Sequence, residues 1–133
     1  MTAFRLVLTL MALVILGAGG LHLIAGLNAD VLLGANLPDS VLRDPVLDSQ
    51  NRFYGISFTL FGVLLLLAVR DLVRYAVMLR CLFAVFFAGG IARVVSLLIH
   101  GVPTLPVLLL LATELLLPPV LYVWLSKLEQ RRS

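Results

Sequence analysis

Gly89-Gly90-Ile91-Ala92-Arg93-Val94-Val95-Ser96-Leu97-Leu98-Ile99-His100 lies inside an apolar run long enough to cross a bilayer, yet it carries an arginine. On a helix, Gly89, Arg93, Ser96 and His100 follow at spacings of four, three and four, so they share one face. A guanidinium at the centre of a spanning helix costs about 2.5–3.5 kcal/mol on insertion scales, so it is expected to face the bundle interior and find a partner. The other ionisable residues deep in apolar runs are Glu114 and His22. The chain is organised around these three.

Composition places that stretch in a membrane. The 133 residues suit one domain, residues 1–133. They are 62% hydrophobic and 13% charged, with a mean hydropathy of +1.12; a soluble domain has about 45–50% apolar and 25% charged residues. The expected fold is all-α, an integral membrane four-helix bundle. A net charge of +3 raises the possibility of nucleic acid, but the basic residues flank apolar runs and form no stripe interleaved with aromatics. Nucleic acid is therefore not an expected partner. The single cysteine, Cys81, excludes an internal disulfide and argues against a zinc-thiolate site.

Outward from the opening stretch, the third span is expected at residues 81–99. The turn His100-Gly101-Val102-Pro103 leads into a fourth at 103–125, which contains Glu114 and Pro118-Pro119. Pro118 has no N–H for the carbonyl of Glu114, so a kink and a freed acceptor are expected there. Upstream, residues 52–69 form the second span. Asp48 is expected to be its N-cap, and Gly55, Phe58 and Gly62 its packing face. The first span covers 4–27, with Gly19, His22 and Gly26 on one face. Arg5 and the small residues Gly17-Ala18-Gly19-Gly20 imitate a signal peptide, but apolar character continues to Leu27, so the helix is expected to be retained.

Residues 28–51 form the one long connection. Asn28, Asp30, Gly34, Asn36, Pro38 and Pro45 interrupt it, while its leucines and valines call for burial. Short helical turns forming a cap over the helix ends are expected, in preference to a lid over a pocket. The link 70–80 carries Arg70, Arg74 and Arg80 and gives no glycine or proline to mark its turn. Arg5, that link and Lys127, Arg131 and Arg132 put seven basic residues on one side. Arg43 and Arg52 lie on the other, and Arg93 lies in the membrane. The positive-inside bias makes both termini cytoplasmic and the 28–51 cap extracytoplasmic.

Helix rise sets the depths. Arg93 is roughly 10 Å below the outer end of its helix, Glu114 roughly 15 Å and His22 roughly 8 Å below theirs. The third and fourth spans are joined by a short turn and so are antiparallel neighbours, which lets Arg93 meet Glu114. Asn51, Arg52, Tyr54, Ser96 and His100 belong to the same outer half. Every span then gives a polar group to one leaflet. The candidate ligand-binding residues are His22, Asn51, Arg52, Tyr54, Arg93, Ser96, His100 and Glu114. A serine in a helix usually bonds its own backbone, which weakens Ser96 as a nucleophile. No HxxxH or HxxE pattern supports a metal, and no GxSxG, GxGxxG or P-loop is present, so neither metal nor cofactor is expected.

Asp48-Ser49-Gln50-Asn51-Arg52-Phe53-Tyr54-Gly55, Gly89-Gly90-Ile91-Ala92-Arg93-Val94-Val95-Ser96 and Glu114-Leu115-Leu116-Leu117-Pro118-Pro119 together carry a resemblance. The chain resembles a family of small, mainly bacterial four-helix membrane proteins classed as a domain of unknown function. More distantly, it is similar to the DoxX-like group of four-span proteins. The resemblance spans nearly the whole chain. It implies a four-helix bundle and brings no activity, substrate or cofactor; the expected location is a bacterial inner membrane.

Three functions fit these residues. The first is a non-enzymatic protein whose outer-leaflet polar pocket binds a membrane lipid or small amphipathic ligand. The second is an accessory subunit of a membrane complex, or a homo-oligomer, whose Arg–Glu–His network only holds the helices together. The third is an intramembrane enzyme with Glu114 and His22 as acid and base, which would need both to face one open space.

Overall fold

The structure is a computed structural model and describes residues 1–130. It is all-α: among the described residues there are six helices and no strand. They are α1 (Thr2–Ala25), α2 (Asn28–Leu32), α3 (Asp39–Leu42), α4 (Pro45–Arg70), α5 (Ala76–His100) and α6 (Leu105–Gln130). Four of them, α1, α4, α5 and α6, are long and apolar enough to cross a membrane. Arg131 and Arg132, which contribute to the charge asymmetry, lie outside the described residues.

Several boundaries differ from the expected ones for local reasons. Helix α4 starts at Pro45, not near residue 52, and Asp48 is not its N-cap. That role belongs to Asp44, whose Oδ1 accepts from the N–H groups of Val46 and Leu47 at 2.9 and 3.1 Å. Proline follows at the first helical position, where its missing N–H leaves nothing unsatisfied. Helix α5 begins at Ala76, inside the arginine-bearing link. Asp71 makes the turn: its Oδ1 accepts from Arg74 N–H at 3.1 Å, and its carbonyl from Tyr75 N–H at 3.1 Å. Helix α6 starts at Leu105, after Pro103, and runs on through Pro118 and Pro119 to Gln130.

The chain groups into two compact units, Val7–Leu67 and Met1–Leu6 with the chain from Ala68 onward. In the Val7–Leu67 unit, α1 and α4 approach at glycines. A Cβ on Gly19 would stand 2.5 Å from the Thr59 nitrogen and 2.8 Å from the Gly55 oxygen, and one on Gly55 would strike the backbone of Leu23. A Cβ on Gly62 would lie 3.0 Å from the Ala12 oxygen. Only glycine admits backbones this close, and in lipid such contacts replace the hydrophobic drive that water supplies. The packing face of α4 is therefore Gly55, Thr59 and Gly62. Phe58, expected on it, is 40% exposed.

The other unit is built on the antiparallel pair α5 and α6. Phe4 packs edge-on against Trp124, ring centroids 5.2 Å apart. Phe83, Leu79, Leu121 and Leu125 of the same unit are buried. Arg80 pairs with Glu129 and lies over the Tyr122 ring at 5.7 Å. Arg93 and Glu114 make a second ionic tie, roughly 20 Å of helix rise further along the pair.

Large apolar side chains cover the surface of all four long helices: Val14, Ile24, Leu60, Val77, Leu98 and Leu116 are each exposed. A water-soluble monomer does not show apolar surface on this scale. Hydrocarbon accepts it without cost. This is an integral, multi-pass membrane protein.

Candidate functional site

The polar residues fall into two groups, one in each unit. In the Val7–Leu67 unit they gather where α1 ends. Gly26 turns the chain at φ +56°, a left-handed conformation that favours glycine, and its N–H closes on the His22 carbonyl at 2.9 Å. Gly26 was expected on the helical packing face with Gly19. It lies beyond the helix instead, against the Asp48 carboxylate. Arg52 caps the same end. Its Nε donates to Asp48 Oδ2 at 2.7 Å, and its Nη1 to the carbonyls of Leu23 and Ile24 at 2.8 and 2.9 Å. Asp48 also accepts from the Leu27 N–H. The last carbonyls of a helix carry partial negative charge, and a guanidinium is their natural partner.

Next to this cap, Asp30 on α2 joins two candidate residues. Asn51 Nδ2 donates to Asp30 Oδ2, and His22 Nε2 stands 3.5 Å from Asp30 Oδ1. His22 Nδ1 faces the Ala18 carbonyl at 2.8 Å, and since a carbonyl only accepts, that nitrogen is the donor. Asn51 is 9% exposed, and its Oδ1 has no partner among the described residues. Tyr54 is not in this cluster; it is exposed, with its ring edge-on to Phe53. In the sequence Asp30 stands only as a helix breaker. Nothing in its spacing from His22 or Asn51 announces the contact, because a separate helix delivers it.

In the other unit, Arg93 Nε donates to Glu114 Oε2 at 2.7 Å. Glycine again sets the geometry, but at Gly90 and not Gly89. A Cβ on Gly90 would meet Leu115 Cδ2 at 2.8 Å and Glu114 Cβ at 3.1 Å, whereas one on Gly89 would meet nothing. Gly90 thus draws α6 against α5 one turn from Arg93, while Gly89 leaves open space on the arginine's own face. The two partners differ in burial: the Glu114 side chain is 5% exposed and that of Arg93 36%. Among the described residues, both terminal nitrogens of Arg93 are without a partner. Ser57, Thr59, Thr113 and Ser126 each donate their hydroxyl to a carbonyl of their own helix, at 2.8–3.0 Å. Ser96 makes no such bond among the described residues and is exposed, three residues from Arg93. His100 is exposed in the last turn of α5.

The charge of this site is already balanced. At an effective dielectric constant of 20, an anion 4 Å from the guanidinium gains about 4 kcal/mol, and the same anion 6 Å from the carboxylate loses about 3 kcal/mol. The surplus is smaller than the several kcal/mol needed to strip water from an ion. Hydrogen-bond donors remain, with little net attraction for a second anion.

Comparison with curated proteins gave no match, and comparison with solved structures gave none either. The features that carried the sequence resemblance, Asp48 to Gly55, Gly89 to Ser96 and Glu114 to Pro119, all lie within residues 3–125. The family model described as a domain of unknown function, DUF4345, matches that same range, and the chain belongs to this family.

Proposed function

We propose that the protein binds a lipid or small amphipathic ligand within the membrane, through the donor face of Arg93 and Ser96 on α5. One observation carries this: Arg93 is held by Glu114 through Nε alone, leaving its terminal nitrogens open in a helix long and apolar enough to cross a membrane. Unpartnered N–H groups in lipid are costly, so an acceptor is needed, and a bound amphiphile supplies one. Arg52, by contrast, engages both Nε and Nη1 with protein.

The test is native mass spectrometry of the detergent-purified protein. Wild type is expected to retain an amphiphile that Ser96→Ala holds more weakly and Arg93→Met/Glu114→Leu does not hold. Identical co-purifying material in all three would leave the network with a structural role only.

A further inference from the structure

We infer that the ligand of this site is a neutral amphiphile whose headgroup offers carbonyl oxygens, not an anionic lipid. The inference rests on Arg93 and Ser96 forming the ligand-binding face. Glu114 lies 2.7 Å from Arg93 Nε and is almost fully buried, so the arginine carries its counter-ion with it. What remains open is a set of N–H donors and, one turn away, the Ser96 hydroxyl. An ester or similar carbonyl accepts two hydrogen bonds and brings no charge. A phosphate or carboxylate headgroup would have to leave water, and its attraction to Arg93 would be largely offset by repulsion from Glu114.

The surroundings orient such a molecule. Ser96 is nearer the His100 end of α5, and Arg93 lies roughly 10 Å below that end. Gly89 is one turn deeper with open space where a side chain would stand, and the exposed Val85 is another turn on. The carbonyl-bearing head fits at Ser96 and Arg93, and the apolar chain runs inward past Gly89 and Val85. The stretch Val85–Gly89 consists of five apolar or small residues and itself presents no polar side chain to that chain.

The experiment is titration of the protein in alkyl-maltoside detergent with three lipids of identical chain length, followed by native mass spectrometry. They are a diacylglycerol, the matching dialkyl ether glycerol, and the matching phosphatidic acid. Diacylglycerol is expected to bind about tenfold more tightly than either of the others, and Ser96→Ala to weaken it about fivefold, the loss of one hydrogen bond. Glu114→Gln keeps an acceptor for Nε and releases the arginine's charge, so it should turn the preference toward phosphatidic acid. Phosphatidic acid binding best to wild type, with dependence on Arg93, would overturn the neutral-ligand inference and leave amphiphile binding standing. Equal binding of diacylglycerol and its ether, or an unchanged preference in Glu114→Gln, would also overturn the inference. Equal binding of all three lipids to wild type and to Arg93→Met/Glu114→Leu would overturn both. Should Glu114→Gln not fold, the wild-type ranking of the three lipids decides alone.

Discussion

Arg52 and Arg93 are tied in the same way and used differently. Each donates Nε to a carboxylate at 2.7 Å, Arg52 to Asp48 and Arg93 to Glu114. Arg52 then gives Nη1 to two helix-end carbonyls, its partner sits four residues away on the same helix, and both side chains are partly exposed. Arg93 reaches across to another helix, to a carboxylate that is 5% exposed, and keeps its terminal nitrogens open. The first arginine closes a helix end. The second is held in place with donors to spare. A charged residue in a span is thus better judged by how many of its donors are occupied than by whether it has a counter-ion.

The largest effect should come from breaking the buried pair. Glu114→Leu strands a guanidinium in low dielectric, and removing one member of a buried ion pair costs about 3–5 kcal/mol. Arg93→Met/Glu114→Leu removes both charges and should recover most of that loss. A double-mutant cycle from denaturation of the solubilised protein measures the coupling. A coupling energy under about 0.5 kcal/mol would mean that the two residues act independently, contrary to their 2.7 Å contact.

A smaller effect is expected at the helix cap. Arg52→Met takes the partner from the Leu23 and Ile24 carbonyls and leaves Asp48 with its backbone donor alone. The side chain is 43% exposed, so water replaces part of what is lost, and the cost should be about 1–2 kcal/mol. Lipid retention should not change. If Arg52→Met matched Glu114→Leu in stability and also lost bound amphiphile, the distinction between the two arginines would collapse.

Much of this was legible in the sequence. The four spans follow from hydrophobic run length, and the Arg93–Glu114 contact follows from a short turn joining two spans of known depth. Helix ends were harder, because polar residues at a span's edge do not show whether the helix continues into water. Sequence spacing therefore points to Asp48 as the N-cap, whereas Asp44-Pro45 carries that signal. Spacing puts Gly89 on one face with Arg93 and does not single out Gly90, whose Cβ position meets Leu115 and Glu114 on α6. Asp30 was out of reach: its partners lie 8 and 21 residues away, and no periodicity links them.

The smallest predicted effect is at Gly89, and it bears on the open face directly. A Cβ there meets nothing within 4 Å, so alanine adds no clash and removes the glycine penalty of a helix interior, about 1 kcal/mol at most. Delipidated Gly89→Ala protein should therefore be as stable as wild type or slightly more so. Gly90→Ala is the control, since its Cβ would meet Leu115 Cδ2 at 2.8 Å and the leucine must shift. The informative measurement is the same pair of melts with co-purifying lipid retained. If an apolar chain runs past Gly89, the added methyl group intrudes on it, and Gly89→Ala should lose stabilisation by lipid that wild type shows. Gly90→Ala, buried against α6, should keep that stabilisation whatever its own melting temperature. An equal lipid-induced shift in wild type and Gly89→Ala would mean that the space beside Arg93 is not where the chain lies, and the ligand would have to approach the arginine from the Ser96 side alone.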